Sequence, residues 1–389
     1  MIEEILKEHE VERNWYEPDM VMIHDGNYPL LKRYIEGKKI RFPAERIIAF
    51  TDHFSPPCTG EHARYVEEFE KFVEEHGIKY HRYEGISHEL MFRYVEEGMF
   101  VVGLDSHSTA YGAKGALSIG VGAMDMASIL LKGSMWLEKP STYRLILQAH
   151  TPHVFDIGLW LMHMRKLYRG KWLEIEGEYD FEDRKIISTM IADTGAIAGL
   201  FVEPSLEYYQ YKRGKWFEER ELRDRMDVFR LSTDISAIFN YYTDYYVDPQ
   251  MDLIDMDFEE DSKVDQVFIG SCMGGRLRDL QIASEILRGR RVKSRLLVSP
   301  ASMEIYREAL HRGIIEDLVD SGAVILNPGC GVCAGLMGRM SEGEVGVYTT
   351  LRTSEARHGG YVYAASPIVA AVSAIIGRIP KMEDIYDYW

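Results

Sequence analysis

The chain has 389 residues, of which 46% are hydrophobic, so it is long enough to bury a large core in two or three domains. Its formal net charge of −17 opposes binding to phosphate backbones and to anionic membrane surfaces, so we expect neither nucleic acid nor a membrane as a partner. Four cysteines are too few for a disulfide framework. The first residues lack the basic and apolar stretches of a signal peptide, and no apolar run approaches the roughly 20 residues of a membrane helix, so a cytoplasmic location is expected.

The pattern of apolar and polar residues predicts an α/β protein along the whole chain. In the first part, the predicted elements are a strand over 45–51, a helix over 61–76, a strand over 98–104 and a buried helix over 117–131. A strand over 140–148 opens a second region, which continues to a tyrosine-rich segment at 240–247. The mostly acidic stretch 257–261 is the predicted linker to a third region. We therefore expect three domains, at 1–135, 136–256 and 257–389.

The third region alternates strands and helices most regularly. Its predicted elements are a strand over 265–269, a helix over 276–288, a strand over 294–298, a helix over 302–312, a strand over 323–326, a helix over 334–340 and a strand over 345–350.

Residues that could take part in catalysis, metal binding or anion binding follow the predicted strands. They are Asp52 and His53, Asp105 to His107, Cys272, Cys330 with Cys333, and Arg352. Ligands of α/β sheets bind beyond the carboxyl ends of the strands, so we expect these side chains in one site. Cys272 and Cys333 are each predicted near the start of a helix, where the positive end of the helix dipole stabilises a thiolate.

The three cysteines Cys272, Cys330 and Cys333 are the most informative group. Three thiolates can hold a [4Fe-4S] cluster and leave one iron open to a substrate hydroxyl. The alternatives are a zinc site, which needs four ligands, and a redox dithiol, which needs no third cysteine. The three together favour the cluster.

Four segments resemble one known family. They are Asp52-His53-Phe54-Ser55-Pro56, the segment from Gly103 to Gly112, Ile269-Gly270-Ser271-Cys272, and Pro328-Gly329-Cys330-Gly331-Val332-Cys333. In this order they resemble the aconitase family, in the branch of two-subunit isopropylmalate isomerases and homoaconitases. The resemblance implies three α/β domains around a [4Fe-4S] cluster, and removal and addition of water on an anionic hydroxy di- or tricarboxylate. It also implies a separate small subunit that supplies the swivel domain, which this chain lacks.

The resemblance assigns acid–base roles to five residues. His53 with Asp52, and His107 with Asp105, would act on the departing or entering hydroxyl group. His88 matches a further active-site histidine of the family. The base that abstracts a proton from carbon is expected from the small subunit.

The same resemblance assigns substrate contacts. Arg352 and Arg357 match arginines that bind substrate carboxylates, and Ser106 is assigned to substrate as well. Arg276 either binds substrate or opens its helix. Asp193 is either an active-site carboxylate or a helix cap.

Four positions depart from the family pattern: Met273, Gly274, Leu351 and Thr189. Polar side chains expected around the cluster and the substrate are therefore missing. We expect a substrate other than isopropylmalate. The alternative is a noncatalytic or zinc-binding member of the same fold that acts as a partner-binding subunit.

Overall fold

The structure is a computed structural model. It describes residues 1–139, 141–147, 153–163, 165–204 and 262–389, together with the backbones of three short strands at 226–229, 245–246 and 254–255. The predicted linker at 257–261 and most of the tyrosine-rich segment lie outside the described residues.

The first half of the described chain alternates helices and strands. Its helices are α1 (Ile2–His9), α2 (Tyr28–Ile35), α3 (Gly60–Glu75), α4 (Ser87–Leu90), α5 (Ala123–Lys132), α6 (Phe155–His163), α7 (Arg165–Tyr168) and α8 (Phe181–Ile191). Its strands are β1 (Glu10–Glu12), β2 (Trp15–Tyr16), β3 (Met20–His24), β4 (Ile47–Thr51), β5 (Lys79–Arg82), β6 (Phe100–Gly103), β7 (Leu117–Gly120), β8 (Met135–Trp136), β9 (Thr142–Leu147), β10 (Trp172–Glu176) and β11 (Ala198–Phe201). A 3₁₀ helix over Ser106–Lys114 follows β6.

The second half continues the alternation. Its strands are β12 (Met226–Phe229), β13 (Tyr245–Tyr246), β14 (Ile254–Asp255), β15 (Gln266–Ile269), β16 (Arg295–Val298), β17 (Val324–Ile325), β18 (Val345–Tyr348) and β19 (Tyr361–Ala364). Its helices are α9 (Ser271–Gly274), α10 (Leu277–Leu287), α11 (Met303–His311), α12 (Ile314–Ser321), α13 (Glu355–His358), α14 (Pro367–Ile376) and α15 (Met382–Tyr388).

The chain forms two compact units. The first contains Met1–Ala49, Phe69–Tyr80 and Met91–Asp234, and the second contains Phe50–Glu68, His81–Leu90 and Ile235–Trp389. The division into three domains at 1–135, 136–256 and 257–389 stays a prediction.

The described part of the first unit carries two larger sheets and a small antiparallel sheet in the order β1-β2-β8. The greater part of a five-stranded sheet, in the order β5-β4-β3-β6-β7, belongs to it, and the ladders β3–β6 and β6–β7 are parallel. A four-stranded parallel sheet has the order β11-β10-β9-β12. Buried aliphatic and aromatic side chains of the strands and of α1, α2, α3 and α5 form one core. Burial of these apolar faces is the main force that stabilises the unit.

The second unit is built on a five-stranded sheet in the order β17-β16-β15-β18-β19, and every ladder in it is parallel. The helices α10, α12 and α14 contribute buried aliphatic side chains to its core. A parallel sheet brings the carboxyl ends of its strands to one edge, so the segments after β15 and β18 are neighbours there. The prediction of an α/β fold with parallel sheets is confirmed.

Two predicted helices were wrong. Residues 117–131 contain strand β7 and then helix α5, because Leu117–Gly120 pairs with β6 and Gly122 precedes the first turn of α5. Residues 334–340 form turns, because Gly335 and Gly338 adopt positive φ angles of 71° and 64°, which a helix does not tolerate. Cys333 therefore does not lie at the start of a helix, whereas Cys272 lies in the single turn of α9.

No helix among the described residues combines the length and the apolar composition needed to cross a bilayer.

Candidate active site

Asp52 connects several candidate residues of the second unit. It follows β4 and is fully buried. Its Oδ1 accepts a hydrogen bond from His53 Nδ1 at 2.7 Å, and its Oδ2 accepts one from the backbone N–H of Ser87 at 2.7 Å. Its backbone carbonyl accepts the N–H of Cys330 at 2.6 Å. One residue thus contacts the His53 ring, the segment that carries His88 and the backbone of Cys330, one of the three cysteines predicted to hold the cluster.

The segment before His88 is bound to the loop between β16 and α11. The N–H of Ile86 donates to Ala301 O at 2.9 Å, and the N–H of Met303 donates to Glu84 O at 2.8 Å. Gly85 and Ser302 form an antiparallel bridge between these two bonds. The buried imidazole of His88 is positioned by this backbone pairing together with the bond from Ser87 to Asp52.

The thiols of the second unit match the donor set of an iron-sulfur cluster. Cys272, Cys330 and Cys333 are each 8% exposed and none is in a disulfide. Cys58, the fourth cysteine, is exposed and free. Three reduced thiols that are nearly but not completely buried can ligate iron while the surrounding protein limits access of water.

Thr349, just after β18, fixes the backbone before Cys272. The N–H of Gly270 donates to Thr349 Oγ1 at 2.9 Å, and the hydroxyl of Ser271 donates to the Thr349 carbonyl at 2.9 Å. A Cβ on Gly274 would lie 2.2 Å from Thr349 Oγ1, so only glycine fits there. The departure from the family pattern at Gly274 is therefore matched by the close approach of Thr349.

Thr350, the next residue, contacts another cysteine. Its Oγ1 lies 3.0 Å from Cys333 Sγ, and the N–H of Arg352 donates to the same oxygen at 3.2 Å. The two consecutive residues after β18 thus contact two cysteine segments: Thr349 contacts the residues before Cys272, and Thr350 contacts the sulfur of Cys333. Thr350 was not among the predicted site residues, and its only signal in the sequence was its place two residues before Arg352.

The loop with the two predicted carboxylate-binding arginines contains a buried histidine. Arg352 and Arg357 are both partly exposed. His358 is 1% exposed, and its Nε2 donates to the backbone carbonyl of Arg352. Burial is the main cause that lowers the pKa of His358 from 6.5 to about 4. The neutral ring therefore fixes the backbone beside Arg352 at neutral pH.

Arg276 is the most buried of the predicted substrate contacts. It precedes α10 and is 1% exposed, and its guanidinium forms a two-pronged pair with Asp279, through Nε at 3.0 Å and an Nη at 2.8 Å. The Arg276 N–H also donates to the Asp279 carboxylate, so the pair closes the first turn of the helix. Of the two roles expected for Arg276, this geometry fits helix opening, and substrate binding stays a prediction.

The first unit holds a second carboxylate–histidine pair. His107 Nε2 lies 3.1 Å from Asp193 Oδ2, and both residues are nearly buried. Asp105 begins the 3₁₀ helix by accepting the N–H of His107 at 2.7 Å, and Ser106 is exposed. Asp193 lies in a short 3₁₀ turn after α8, where its carboxylate faces an imidazole. Such a pair can fix the imidazole tautomer and stabilise the protonated ring.

Thr189 and Leu351 are two further positions that depart from the family pattern, and the structure shows what surrounds each side chain. Thr189 donates its hydroxyl to Lys185 O at 2.7 Å within α8, and Leu351 is fully buried. Neither side chain can donate an amide hydrogen bond, so each of these two positions lacks the polar group of the family pattern.

Comparison with known proteins agrees with this description. The family model of the aconitase family (aconitate hydratase) matches residues 3–249 and 250–377. The chain is 34% identical to the methanogen homoaconitase large subunit of Methanocaldococcus jannaschii, over 95% of this chain and 94% of that protein. It is 37% identical to 3-isopropylmalate dehydratase large subunit 1 of Archaeoglobus fulgidus, over 93% of this chain and 92% of that protein. The homoaconitase large subunit of Thermus thermophilus is 33% identical over 95% of this chain and 92% of its own length.

Among solved structures, the holo-form of aconitase X from Thermococcus kodakaraensis has a similar fold. The TM-score is 0.59 with 15% sequence identity, over 94% of this chain and 92% of that chain. At this identity the likeness concerns the fold alone.

The family and the relatives define the class of this enzyme, which is a hydro-lyase of the aconitase type. The chain is a member of the aconitase family, as its sequence resemblance indicated. The roles of the individual site residues stay predictions.

Proposed function

We propose that this chain is the catalytic large subunit of a two-subunit hydro-lyase that removes and adds water on a hydroxy di- or tricarboxylate. Its relatives are named as large subunits of homoaconitase and 3-isopropylmalate dehydratase, which supports both the reaction and a small-subunit partner. We expect this partner to carry the swivel domain. Two hydrogen bonds carry the proposal: the Ser271 hydroxyl, beside Cys272, donates to the Thr349 carbonyl, and Thr350 Oγ1 lies 3.0 Å from Cys333 Sγ.

Cys272, Cys330 and Cys333 would hold a [4Fe-4S] cluster with one open iron. The fit rests on three buried, reduced thiols, whose number matches a cluster ligated at three of its four irons. When bound, this group supplies a Lewis acid for the substrate hydroxyl.

The protein residues would bind substrate and move protons. His53, oriented by Asp52, and His107, paired with Asp193, are suited to protonate a departing hydroxyl group or to accept a proton from water. Arg352 and Arg357 would bind the carboxylates of the substrate in two-pronged pairs. The small subunit would supply the base that abstracts a proton from carbon.

The departures at Gly274, Leu351 and Thr189 favour a substrate other than isopropylmalate. Leu351 is fully buried next to Arg352 and cannot form the hydrogen bond that the polar side chain of the family pattern would form there, so the support of the neighbouring arginine differs. We expect a hydroxy acid that is complementary to this less polar environment.

The test is anaerobic purification with the small subunit, followed by iron and sulfide analysis and assays with a panel of hydroxy acids. We expect roughly four irons and four sulfides per chain, and reversible dehydration of one acid of the panel. Cys272→Ser, Cys330→Ser and Cys333→Ser each remove the cluster, whereas Cys58→Ser, which changes the exposed cysteine, keeps it. Stoichiometric zinc with no sulfide in the anaerobic protein would contradict the proposal.

A further inference from the structure

We propose that the hydroxyl group of Thr350 donates a hydrogen bond to Cys333 Sγ and thereby sets the reduction potential and the lability of the metal group that Cys333 binds. The inference rests on the proposed cluster site, and it assigns to Thr350 a positioning role that no resemblance suggested.

Thr350 is the donor once Cys333 binds iron, and a third partner is compatible with this direction. The backbone N–H of Arg352 lies 3.2 Å from Thr350 Oγ1, and an N–H can only donate. The oxygen therefore accepts from Arg352, and its own proton is available for the sulfur 3.0 Å away. A thiolate that binds iron has no proton to donate, so in the loaded protein only Thr350 can be the donor.

Burial makes this bond strong. Thr350 is fully buried and Cys333 is 8% exposed, so little water competes for the sulfur. A hydrogen bond to a charged acceptor is also stronger than one between neutral groups. Hydrogen bonds to the sulfurs are among the factors that set the potential of an iron-sulfur cluster, because they stabilise the more negative, reduced form.

The same oxygen couples the sulfur to the arginine loop. Arg352 donates its N–H to Thr350, and its carbonyl accepts the Nε2–H of His358. A chain of hydrogen bonds thus runs from Cys333 through Thr350 and the backbone of Arg352 to His358. Loss of the Thr350 hydroxyl breaks this chain at the sulfur and leaves the N–H of Arg352 without this acceptor.

The experiment compares three variants with the unchanged protein, all purified anaerobically with the small subunit and loaded with iron and sulfide. Thr350→Val removes the hydroxyl and keeps the shape of the side chain. Thr350→Ser keeps the hydroxyl. Ser373→Ala is the matched control, because it removes a buried hydroxyl of the same unit whose bond runs to Val369 O within α14.

Two measurements report on the sulfur independently of turnover: the midpoint reduction potential from an EPR-monitored titration, and the rate at which cluster absorbance is lost on exposure to air. In Thr350→Val we expect a more negative potential and about 10-fold faster loss, the lower end of the range for partners that orient metal ligands. Thr350→Ser and Ser373→Ala should match the unchanged protein in both.

A loaded Thr350→Val protein with unchanged potential and unchanged loss rate would overturn the inference alone. So would an equal change in Ser373→Ala, since the effect would then come from general loss of a buried hydroxyl. Failure of the unchanged protein to take up any cluster would overturn the proposed function, and the role of Thr350 with it.

Discussion

A Cβ on Gly85 would lie 2.6 Å from the Cα of Ser302. Gly85 also has a φ angle of +144°, which side-chain-bearing residues rarely adopt. Because the backbone bonds on either side of this contact position the segment of His88, Gly85 is a point where a single methyl group disturbs the candidate site.

Gly85→Ala should therefore displace the segment 84–88 and lower kcat by about 10-fold or more, since misplacement of a catalytic group by 1 Å is costly. The measurement is dehydration of the accepted hydroxy acid by the complex. Gly289→Ala is the control, because Gly289 also has a positive φ, 71°, but has no atom within 4 Å of its added Cβ. Equal activity of the two variants would contradict the prediction.

Asp52→Asn tests the orientation of His53. The amide keeps the size of the side chain but removes the charge that faces the imidazole, so we expect kcat to fall by about 10²-fold. The bond from Cys330 goes to the backbone carbonyl of Asp52, so iron and sulfide content should be unchanged. A variant that keeps full activity would show that the pair has no acid–base role.

Asp193→Asn tests the pair in the first unit. Without the carboxylate, the protonated form of His107 loses its 3.1 Å partner, and we expect a decrease of kcat by about 10²-fold with a shifted pH profile. The pH dependence of kcat separates stabilisation of the protonated His107 from helix capping. Loss of a helix cap would lower the melting temperature and leave the pH dependence of kcat unchanged. A lower melting temperature with an unchanged kcat profile would assign Asp193 to the cap alone.

Asp279→Ala tests whether Arg276 is primarily structural. The substitution removes the carboxylate that pairs with a guanidinium 1% exposed, so the free energy of unfolding should fall by about 3–5 kcal/mol. Urea denaturation measures this change in the free energy of unfolding. Glu308→Ala, which breaks an exposed pair with Arg312, should cost about 0.5 kcal/mol or less. If Asp279→Ala changed the free energy of unfolding only slightly, a structural role would be contradicted and substrate binding by Arg276 would be favoured.

His358 makes stability depend on pH in a defined window. Its pKa is about 4 in the folded protein and near 6.5 in the unfolded chain, so the unfolded state binds more protons between these values. The stabilising contribution is complete above pH 6.5 and is lost as pH falls toward 4, with a slope of at most about 1.4 kcal/mol per pH unit.

The measurement is urea denaturation at pH 7 and pH 5 of the unchanged protein, His358→Gln and His311→Gln. We expect His358→Gln to lose less stability on acidification than the unchanged protein. His311 is exposed, so its variant should follow the unchanged protein. Parallel curves for all three proteins would mean that His358 is not buried as described.

The sequence predicts those parts of the site that depend on local pattern. Asp52 and His53 are adjacent, and Cys330 and Cys333 are three residues apart, so each pair is visible in the chain. The helix at 334–340 was wrong because residue preferences do not reveal where glycines adopt positive φ. Leu117–Gly120 was misread because pairing with β6, a tertiary contact, decides between strand and helix in a short apolar run.

The contacts that position the site are long-range and were beyond sequence reasoning. Gly85 meets Ser302, and Asp52 binds Cys330, across more than two hundred residues each. No periodicity encodes such pairs, because they join segments that follow strands of two different sheets. The role of Thr350 was hidden for the same reason.

Asp52 uses its side chain for His53 and its main chain for Cys330. Every residue type has the carbonyl, but only an acidic one has the charge. Under the proposed function, mutation at this position would therefore alter proton transfer and leave the backbone bond to the Cys330 loop in place. In such an enzyme a single substitution could then change the chemistry of the site before it changes the fold that would hold the metal group.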